Sequence, residues 1–430
     1  MATKNGAVMK KIALLLAIIT LCTACAKSPA SSATSSEVTE QSAVKPENPN
    51  ALLQESDLVY SFAPRVISTS HIGFLNFFHD TYYLAGVYDV DTQDGYYLCD
   101  VESCTHSDAS CPAYISTDYA IGEYYTDKYS AYIIKEGESY WLLRYDFDTR
   151  AKSKCNISAD ILSGNFYLYN SISGYAVEGD TLYITAESDD GTTKIVRINT
   201  LTGAAENIVE YSAMSGIKDV CGNALITWHW SDNLRNQDPT SPNATFFIYE
   251  AVPLDGTAPT QLFLAPLNTH TVYTNGKTQS FYYAKYNTTI EGANKTTRYS
   301  PDGIIYRLDM VTGEINEVVK LPAEGSTWIS LSNIIDNYLI AQLRIGGDKD
   351  ITYKFDLDTK TAEEFSIASP IGTDAYPEAV ASYAGKKMLV NADDGTHLSK
   401  IYSIPKSDYL AGNRNYTKLE GSEIIWHSEY

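Results

Sequence analysis

The sequence predicts an all-β protein, a β-propeller of four-stranded blades, with seven blades expected and six or eight as alternatives. Three observations predict this fold. An apolar strand resembling Ile-Tyr-Arg-Leu-Asp recurs along the chain, each copy pairs with a preceding apolar strand and a polar turn, and the chain holds 34 tyrosines, which favour strands. No amphipathic helix of useful length separates the units.

The recurring strand sets the number of units. Seven copies align, and successive copies lie 46 to 57 residues apart. The aligned positions are Tyr97, Leu143, Val196, Tyr249, Tyr306, Tyr353 and Tyr402. A period near this length with several short strands per unit is typical of propellers, in which each sheet buries its faces against its neighbours.

Turns and termini complete the prediction. Asp or Asn three or four residues before a Thr-Gly pair, as at Asn199 and Asp309, favours hairpin turns over calcium binding. Near the ends of the folded region, Leu58–Phe62 and Ile424–Trp426 are apolar segments expected to pair with the last blade. Such pairing would remove exposed strand edges.

The N-terminal region predicts export. Lys10 and Lys11 precede an apolar run over 12–21, and small residues then lead to Cys25. The segment Ala24-Cys25 resembles the bacterial lipobox, although Cys22 stands where the lipobox has leucine. The resemblance implies lipid attachment at Cys25, with an ordinary cleaved signal peptide or an uncleaved anchor as alternatives.

The domain organisation follows from composition. We predict a lipoprotein signal peptide over 1–25, a disordered tether over 26–52 and a propeller domain over 53–430. The tether is rich in Ser, Ala, Thr, Glu and Pro, which supply too little apolar surface to offset the entropy of ordering. The predicted location is the outer face of a bacterial cytoplasmic membrane, with the chain anchored by lipid.

The net charge of the chain limits the classes of partner that it is expected to bind. The chain has 53 acidic and 32 basic residues, a net charge of −21. This balance argues against nucleic acid and against an anionic bilayer surface as partners.

One cluster stands out from the repeats. The spacing Cys-x4-Cys-x-His-x4-Cys places Cys99, Cys104, His106 and Cys111 within a short segment where other units are expected to have a plain hairpin turn. Three thiolates and an imidazole suit tetrahedral zinc, and the alternative is a disulfide, such as Cys104–Cys111, in an oxidising exterior. Either form predicts a structural role. Cys155 and Cys221 fall in other units and are expected to be small buried apolar residues.

Two long insertions are expected at 231–245 and 285–301. The first follows Trp228-His229-Trp230, and aromatic side chains beside a polar loop suit a glycan or peptide platform. We therefore take Trp228 and Trp230 as candidate ligand-binding residues. The alternative is that at least one of them packs between blades, because strand side chains alternate between faces.

The signal segment, the tether, the repeat cadence and the cysteine-rich first unit resemble those of uncharacterised propeller lipoproteins of anaerobic Firmicutes. More distantly the repeats are similar to TolB-like and quinoprotein-like propellers. The resemblance implies a fold and a location, and it implies no reaction.

The leading functional hypothesis is a non-enzymatic surface module that binds a protein, peptide or glycan. No zinc-protease, nucleophile-elbow, Walker or dinucleotide motif is present in the sequence. The alternatives are a surface polysaccharide hydrolase or lyase, which needs converging carboxylates or histidine, and an envelope assembly scaffold.

Overall fold

The computed structural model describes residues 49–61, 71–78, 82–116, 120–158, 167–168, 174–188, 191–231, 245–266, 269–291, 296–321, 326–345, 349–366, 370, 378–383, 387–393 and 399–426. The predicted signal peptide, Cys25 and the predicted tether up to residue 48 lie outside these ranges. Among the described residues, no helix has the length and apolar character needed to span a membrane.

The chain forms two compact units. One comprises residues 43–286 and 300–430 and contains the blades. The other comprises residues 1–42 and 287–299, of which the structure describes strand backbone at 287–291 and 296–299.

Seven antiparallel sheets confirm the predicted seven-bladed propeller. Blade 1 contains β2 (His71–Phe78), β3 (Tyr82–Asp89), β4 (Asp94–Tyr97) and β5 (Tyr114–Ser116); blade 2 contains β6 (Ala120–Tyr125), β7 (Tyr129–Glu136), β8 (Ser139–Asp146) and β9 (Lys152–Asn156). Blade 3 contains β11 (Tyr175–Glu178), β12 (Thr181–Glu187), β13 (Thr193–Asn199) and β14 (Ala205–Tyr211), joined by β1 (Val59–Ser61) and β10 (Tyr167–Leu168).

The remaining blades are built from consecutive strands. Blade 4 contains β15 (Ser215–Cys221), β16 (Ala224–Trp230), β17 (Thr245–Pro253) and β18 (Thr260–Pro266); blade 5 contains β19 (Thr269–Asn275), β20 (Ser280–Glu291), β21 (Thr296–Asp309) and β22 (Ile315–Lys320). Blade 6 contains β23 (Ser326–Ile335), β24 (Tyr338–Ile345), β25 (Lys349–Asp356) and β26 (Thr361–Glu364); blade 7 contains β27 (Glu378–Tyr383), β28 (Lys387–Asp393), β29 (Ser399–Pro405) and β30 (Thr417–Lys418). The helices are α1 (Asn50–Leu53), α2 (Lys406–Leu410) and a 3₁₀ helix (Ser422–Trp426).

The predicted insertion at 285–301 differs from expectation. Strand β20 runs on to Glu291 and β21 begins at Thr296, so most of the segment is strand rather than loop. The other predicted insertion lies largely outside the described residues, at 232–244.

Burial falls from the second strand of a blade to the fourth. In blade 2, most of β7 is buried on both faces, β8 roughly alternates buried and half-buried positions, and β9 is mostly exposed. The first strands of blades 3 to 6 lie against one another. The first strand is therefore innermost and the fourth strand is outermost.

Apolar layers join every pair of neighbouring blades. Seven clusters of buried side chains lie between blades 1–2, 2–3, 3–4, 4–5, 5–6, 6–7 and 7–1. Buried members of these layers, in that order, are Tyr132, Leu182, Leu225, Phe281, Leu339, Met388 and Ile72. The complete set of layers closes the ring, and each sheet gains the packed faces that one blade alone lacks.

Tyrosine hydroxyls add polar connections between blades. The Tyr175 hydroxyl accepts a hydrogen bond from Tyr125 N at 2.9 Å and donates one to Tyr125 O at 2.8 Å. The Tyr286 hydroxyl likewise accepts from Ile329 N at 2.8 Å and donates to Ile329 O at 3.1 Å. An innermost strand has an edge without a neighbouring strand of its own sheet, and these hydroxyls satisfy backbone groups there. Part of the tyrosine enrichment thus has a structural cause.

The predicted pairing of Leu58–Phe62 with the last blade is wrong. Strand β1 pairs antiparallel with β11, so that Tyr60 lies opposite Ala176 on the inner side of blade 3. Blade 7 takes its four described strands from the C-terminal part of the chain, in the order β27-β28-β29-β30, and β1 pairs with none of them.

The predicted strand at Ile424–Trp426 is also wrong, because the segment belongs to the 3₁₀ helix. Ile425 is 1% exposed and packs in the layer between blades 7 and 1. Asn76 Nδ2 donates to Ile424 O at 2.6 Å, and the Tyr88 hydroxyl donates to Glu420 O at 2.6 Å. Packing and side-chain hydrogen bonds, rather than a shared strand, close the ring.

The interpretation of the Asp and Asn turn residues is confirmed. Asn199 Oδ1 accepts from Leu201 N at 3.1 Å and Thr202 N at 3.0 Å, and Asp309 Oδ1 accepts from Val311 N and Thr312 N. These side chains fold the turn after the third strand, as Asx turns do.

Candidate functional site

The Cys/His cluster interrupts the third strand of blade 1. The Ala85 carbonyl accepts from Leu98 N, and Ala85 N donates to the Ala113 carbonyl, both at 2.9 Å. Residues 99–112 thus leave the sheet after Leu98, and the chain resumes the same course along β3 at Ala113. The segment therefore replaces part of a strand, and the expectation that it replaces a hairpin turn is wrong.

The inserted segment folds through short turns. Cys104 N donates to Val101 O at 3.2 Å and Cys111 N donates to Asp108 O at 3.1 Å. Asp108 Oδ1 accepts from Ser110 N at 2.8 Å. His106 adopts a left-handed backbone conformation with φ of 55°. These turns bend the chain back so that residues far apart along the segment meet.

The four predicted ligands converge. One donor atom from each of Cys99, Cys104, His106 and Cys111 lies within 4.8 Å of the others. His106 Nδ1 lies 3.2 Å from Cys111 Sγ, and His106 N donates to Cys104 Sγ at 3.4 Å. Cys99 and Cys111 are buried, and Cys104 and His106 are half-buried.

The thiols are free. None of the five cysteines in the described part of the chain forms a disulfide, so Cys104 and Cys111 are not joined. Burial raises the pKa of the Cys111 thiol to about 12, whereas the hydrogen bond from His106 N lowers the pKa of Cys104. Cys221 is buried and Cys155 is partly buried in an apolar cluster, as expected for small apolar residues.

The cluster can hold a metal ion. Sulfur and imidazole nitrogen are the donors that suit zinc and other thiophilic metals, and four such donors complete a tetrahedral shell. A shell completed by protein leaves no position for a substrate, which favours a structural role.

Trp228 and Trp230 lie on β16, the second strand of blade 4. Trp228 is half-buried, packs against the layer between blades 4 and 5 and meets the Phe247 ring edge-on at 5.3 Å. Trp230 is also half-buried, lies opposite Phe247 in the strand pairing and precedes the connection at 232–244. The two residues share a face of the strand, because strand side chains alternate.

His229 faces the other side of β16, so the tryptophan–histidine segment does not form one platform. Its ring stacks on Tyr211 at 4.5 Å, and Nε2 lies 3.7 Å from Glu250 Oε2. The Tyr211 hydroxyl donates to the same Glu250 oxygen at 3.1 Å and lies 2.9 Å from Thr227 Oγ1. Burial, and then the Glu250 carboxylate, raise the pKa of Tyr211 far above its usual value.

Sequence reasoning missed this network. Strand alternation was the signal available for separating His229 from its neighbours, but the partners Tyr211 and Glu250 lie on two other strands. Their meeting depends on how blades 3 and 4 pack, which no local pattern specifies.

No family model and no curated protein matches the chain. Solved structures similar to it include an oligogalacturonate lyase from Vibrio parahaemolyticus (11% identity, TM-score 0.45, 84% of this chain and 95% of that chain) and TolB from Acinetobacter baumannii (12% identity, TM-score 0.33, 81% and 63%). An oligogalacturonate lyase in complex with manganese is 12% identical (TM-score 0.46, 80% and 89%). At such low identity these similarities concern the fold alone. The strand pairing itself defines the class of the chain as a seven-bladed all-β propeller.

Proposed function

We propose that the chain is a lipid-anchored extracytoplasmic propeller that binds a protein, peptide or glycan on one side of the ring. The observation that carries this proposal is the placement of two features at opposite ends of one strand, β16. The N-terminal chain enters the propeller at the beginning of this strand. The candidate tryptophans lie at its end.

Helix α1 fixes the point of entry. The Leu52 carbonyl accepts from Gln279 Nε2 at 2.8 Å, and Asn223 N donates to the Ala51 carbonyl at 2.8 Å. Leu52 is 1% exposed and packs with the layer between blades 4 and 5. Asn223 and Gln279 belong to turns between first and second strands. A tether preceding α1 would therefore leave from that side.

The other end of β16 lies on the opposite side of the ring from the turn that contacts α1. From Asn223 to Trp230 the strand covers about 23 Å at ~3.3 Å per residue. Connections between second and third strands open on this far side, since antiparallel neighbours alternate direction. Trp228 and Trp230 therefore stand where a membrane-anchored propeller would face the exterior.

Ligand binding is tested with purified full chain in mild detergent, by following the melting temperature in the presence of glycans and peptides. A ligand that binds the folded state raises that temperature. We expect ligands of one chemical class to raise the melting temperature. We expect Trp230→Ala to weaken the apparent affinity for these ligands at least tenfold. Trp141→Ala, which changes a half-buried tryptophan of blade 2, is the matched control. An equal effect of both variants, or no ligand-dependent increase, would contradict a binding site at Trp228 and Trp230.

Lipid anchoring is tested separately. Cells expressing the chain are fed an alkyne-tagged fatty acid, and the protein is examined for label and membrane association. We expect Cys25→Ser to lose the label and Cys22→Ser to retain it. Labelling of neither the parent chain nor Cys22→Ser would refute the anchor and leave the binding experiment unaffected.

A further inference from the structure

We infer that the Cys/His cluster is a structural zinc site that replaces the outer edge of blade 1 and joins it to blade 2. The ligands are Cys99, Cys104, His106 and Cys111. This site is independent of the proposed binding side at Trp228 and Trp230.

The donor set fits the metal. In a tetrahedral zinc site with Zn–S bonds of about 2.3 Å, donor atoms lie roughly 3.5–3.8 Å apart. The four donors already lie within 4.8 Å of one another, and Cys111 Sγ and His106 Nδ1 are 3.2 Å apart. Changes of about 1 Å or less would therefore complete the shell. Three thiols cannot all pair as disulfides, whereas one zinc ion uses all three together with the imidazole.

The surroundings hold the ligands in place. His106 N donates to Cys104 Sγ, as a backbone group does toward a metal-bound thiolate. The Tyr97 ring lies 5.2 Å from the His106 ring, and the Tyr82 hydroxyl donates to His106 O at 3.4 Å. Both tyrosines belong to strands of blade 1. These two contacts from blade 1 therefore restrict the position of His106.

Blade 2 contacts the end of the segment. The Pro112 carbonyl, next to Cys111, accepts from the Tyr145 hydroxyl and from Lys152 Nζ, each at 2.8 Å. Zinc with three thiolates and a neutral imidazole carries one net negative charge, which the Lys152 ammonium partly offsets.

The proposed role of the site is to cover the outer edge of blade 1. In the described residues of blade 1, β4 and β5 both pair with β3, and no strand lies outside them. The other blades have a fourth strand in that position. A metal-closed loop would cover the exposed edge and keep the blade from pairing with other chains.

The experiment uses the full chain, isolated in mild detergent with reductant and without chelator. We expect about one zinc per chain by elemental mass spectrometry. Replacement by Co²⁺ should give the intense visible absorption of a tetrahedral thiolate site. Cys104→Ser should lower zinc occupancy at least tenfold, and Cys155→Ser, the matched control outside the cluster, should keep it.

A second variant distinguishes the loss of a metal ligand from misfolding of Cys104→Ser. His106→Cys preserves four donors, so it should still bind Co²⁺, with a stronger sulfur-to-metal absorption. A chain that binds no metal after reconstitution under reducing conditions would overturn the inference. Unchanged zinc occupancy in Cys104→Ser would also overturn it.

Discussion

Replacing Tyr286 with phenylalanine removes one oxygen atom from the layer between blades 5 and 6. That hydroxyl accepts from Ile329 N at 2.8 Å and donates to Ile329 O at 3.1 Å, and the side chain is 3% exposed. The variant keeps the ring and its packing but lacks the two hydrogen bonds that the hydroxyl makes with the backbone amide and carbonyl of Ile329. We therefore expect a loss of folding free energy that comes from the polar groups alone.

The size of the loss follows from the two buried hydrogen bonds that the substitution removes. Removing one partner of a buried hydrogen bond costs about 1–3 kcal/mol. The entropy of unfolding is ~2.1 cal/mol/K per residue, so the entropy of unfolding of a folded unit of this size is ~0.8 kcal/mol/K. Dividing the loss of free energy by this entropy gives a decrease of about 1–4 °C in melting temperature. Burial raises the pKa of Tyr286 to about 12, so the hydroxyl stays protonated and the decrease should be the same from pH 6 to pH 9.

The same strand supplies the control. The Tyr283 hydroxyl is buried and has no hydrogen-bond partner among the described residues. Tyr283→Phe should therefore leave stability unchanged or raise it slightly, because it removes an unsatisfied polar atom. Differential scanning calorimetry of both variants and the parent makes the comparison. Equal melting temperatures for Tyr286→Phe and the parent, or equal losses in both variants, would refute the argument that these hydroxyls connect blades.

Three further predictions concern the turns, the charge and the closure of the propeller. Asn199→Ala removes the oxygen that accepts hydrogen bonds from two backbone N–H groups, so denaturant unfolding should show a free energy of unfolding lower by about 0.5–1.5 kcal/mol. The control is Asn207→Ala at an exposed position, which should leave the free energy of unfolding unchanged. Burial raises the pKa of Asp219 to about 6, above its unfolded value of about 3.9, so the folded chain holds this proton more tightly. The contribution of this group to stability is thus complete below about pH 4 and is lost as pH rises to about 6. The free energy of unfolding should therefore fall by about 3 kcal/mol over this range, and this fall should be absent from the pH profile of Asp219→Asn. Ile425→Ala opens a cavity between blades 7 and 1 and should cost about 2–4 kcal/mol by calorimetry; a loss below ~1 kcal/mol would mean that the 3₁₀ helix does not contribute to closure.

Much of the fold could be predicted because its signals are local. The period of the apolar strands, the Asx turns at Asn199 and Asp309, and the cysteine spacing of the Cys/His cluster are all visible over short stretches of sequence. The turns depend on hydrogen bonds between residues close together along the chain, and the strand period depends on residues one repeat apart. The Cys/His cluster takes all four of its donors from one short segment. The donor set for a metal could be named for the same reason.

The sequence by itself determined the class of fold, the number of blades and the four members of the Cys/His cluster. The tertiary structure alone decided where β1 pairs, how the 3₁₀ helix closes the ring and which residues surround His229. It also placed the cluster in a segment that interrupts the third strand of blade 1 and whose last residue, Pro112, contacts Lys152 of the next blade. These features arise from contacts between distant segments, and the choice among competing partners depends on packing and on unsatisfied backbone groups that a one-dimensional pattern does not record.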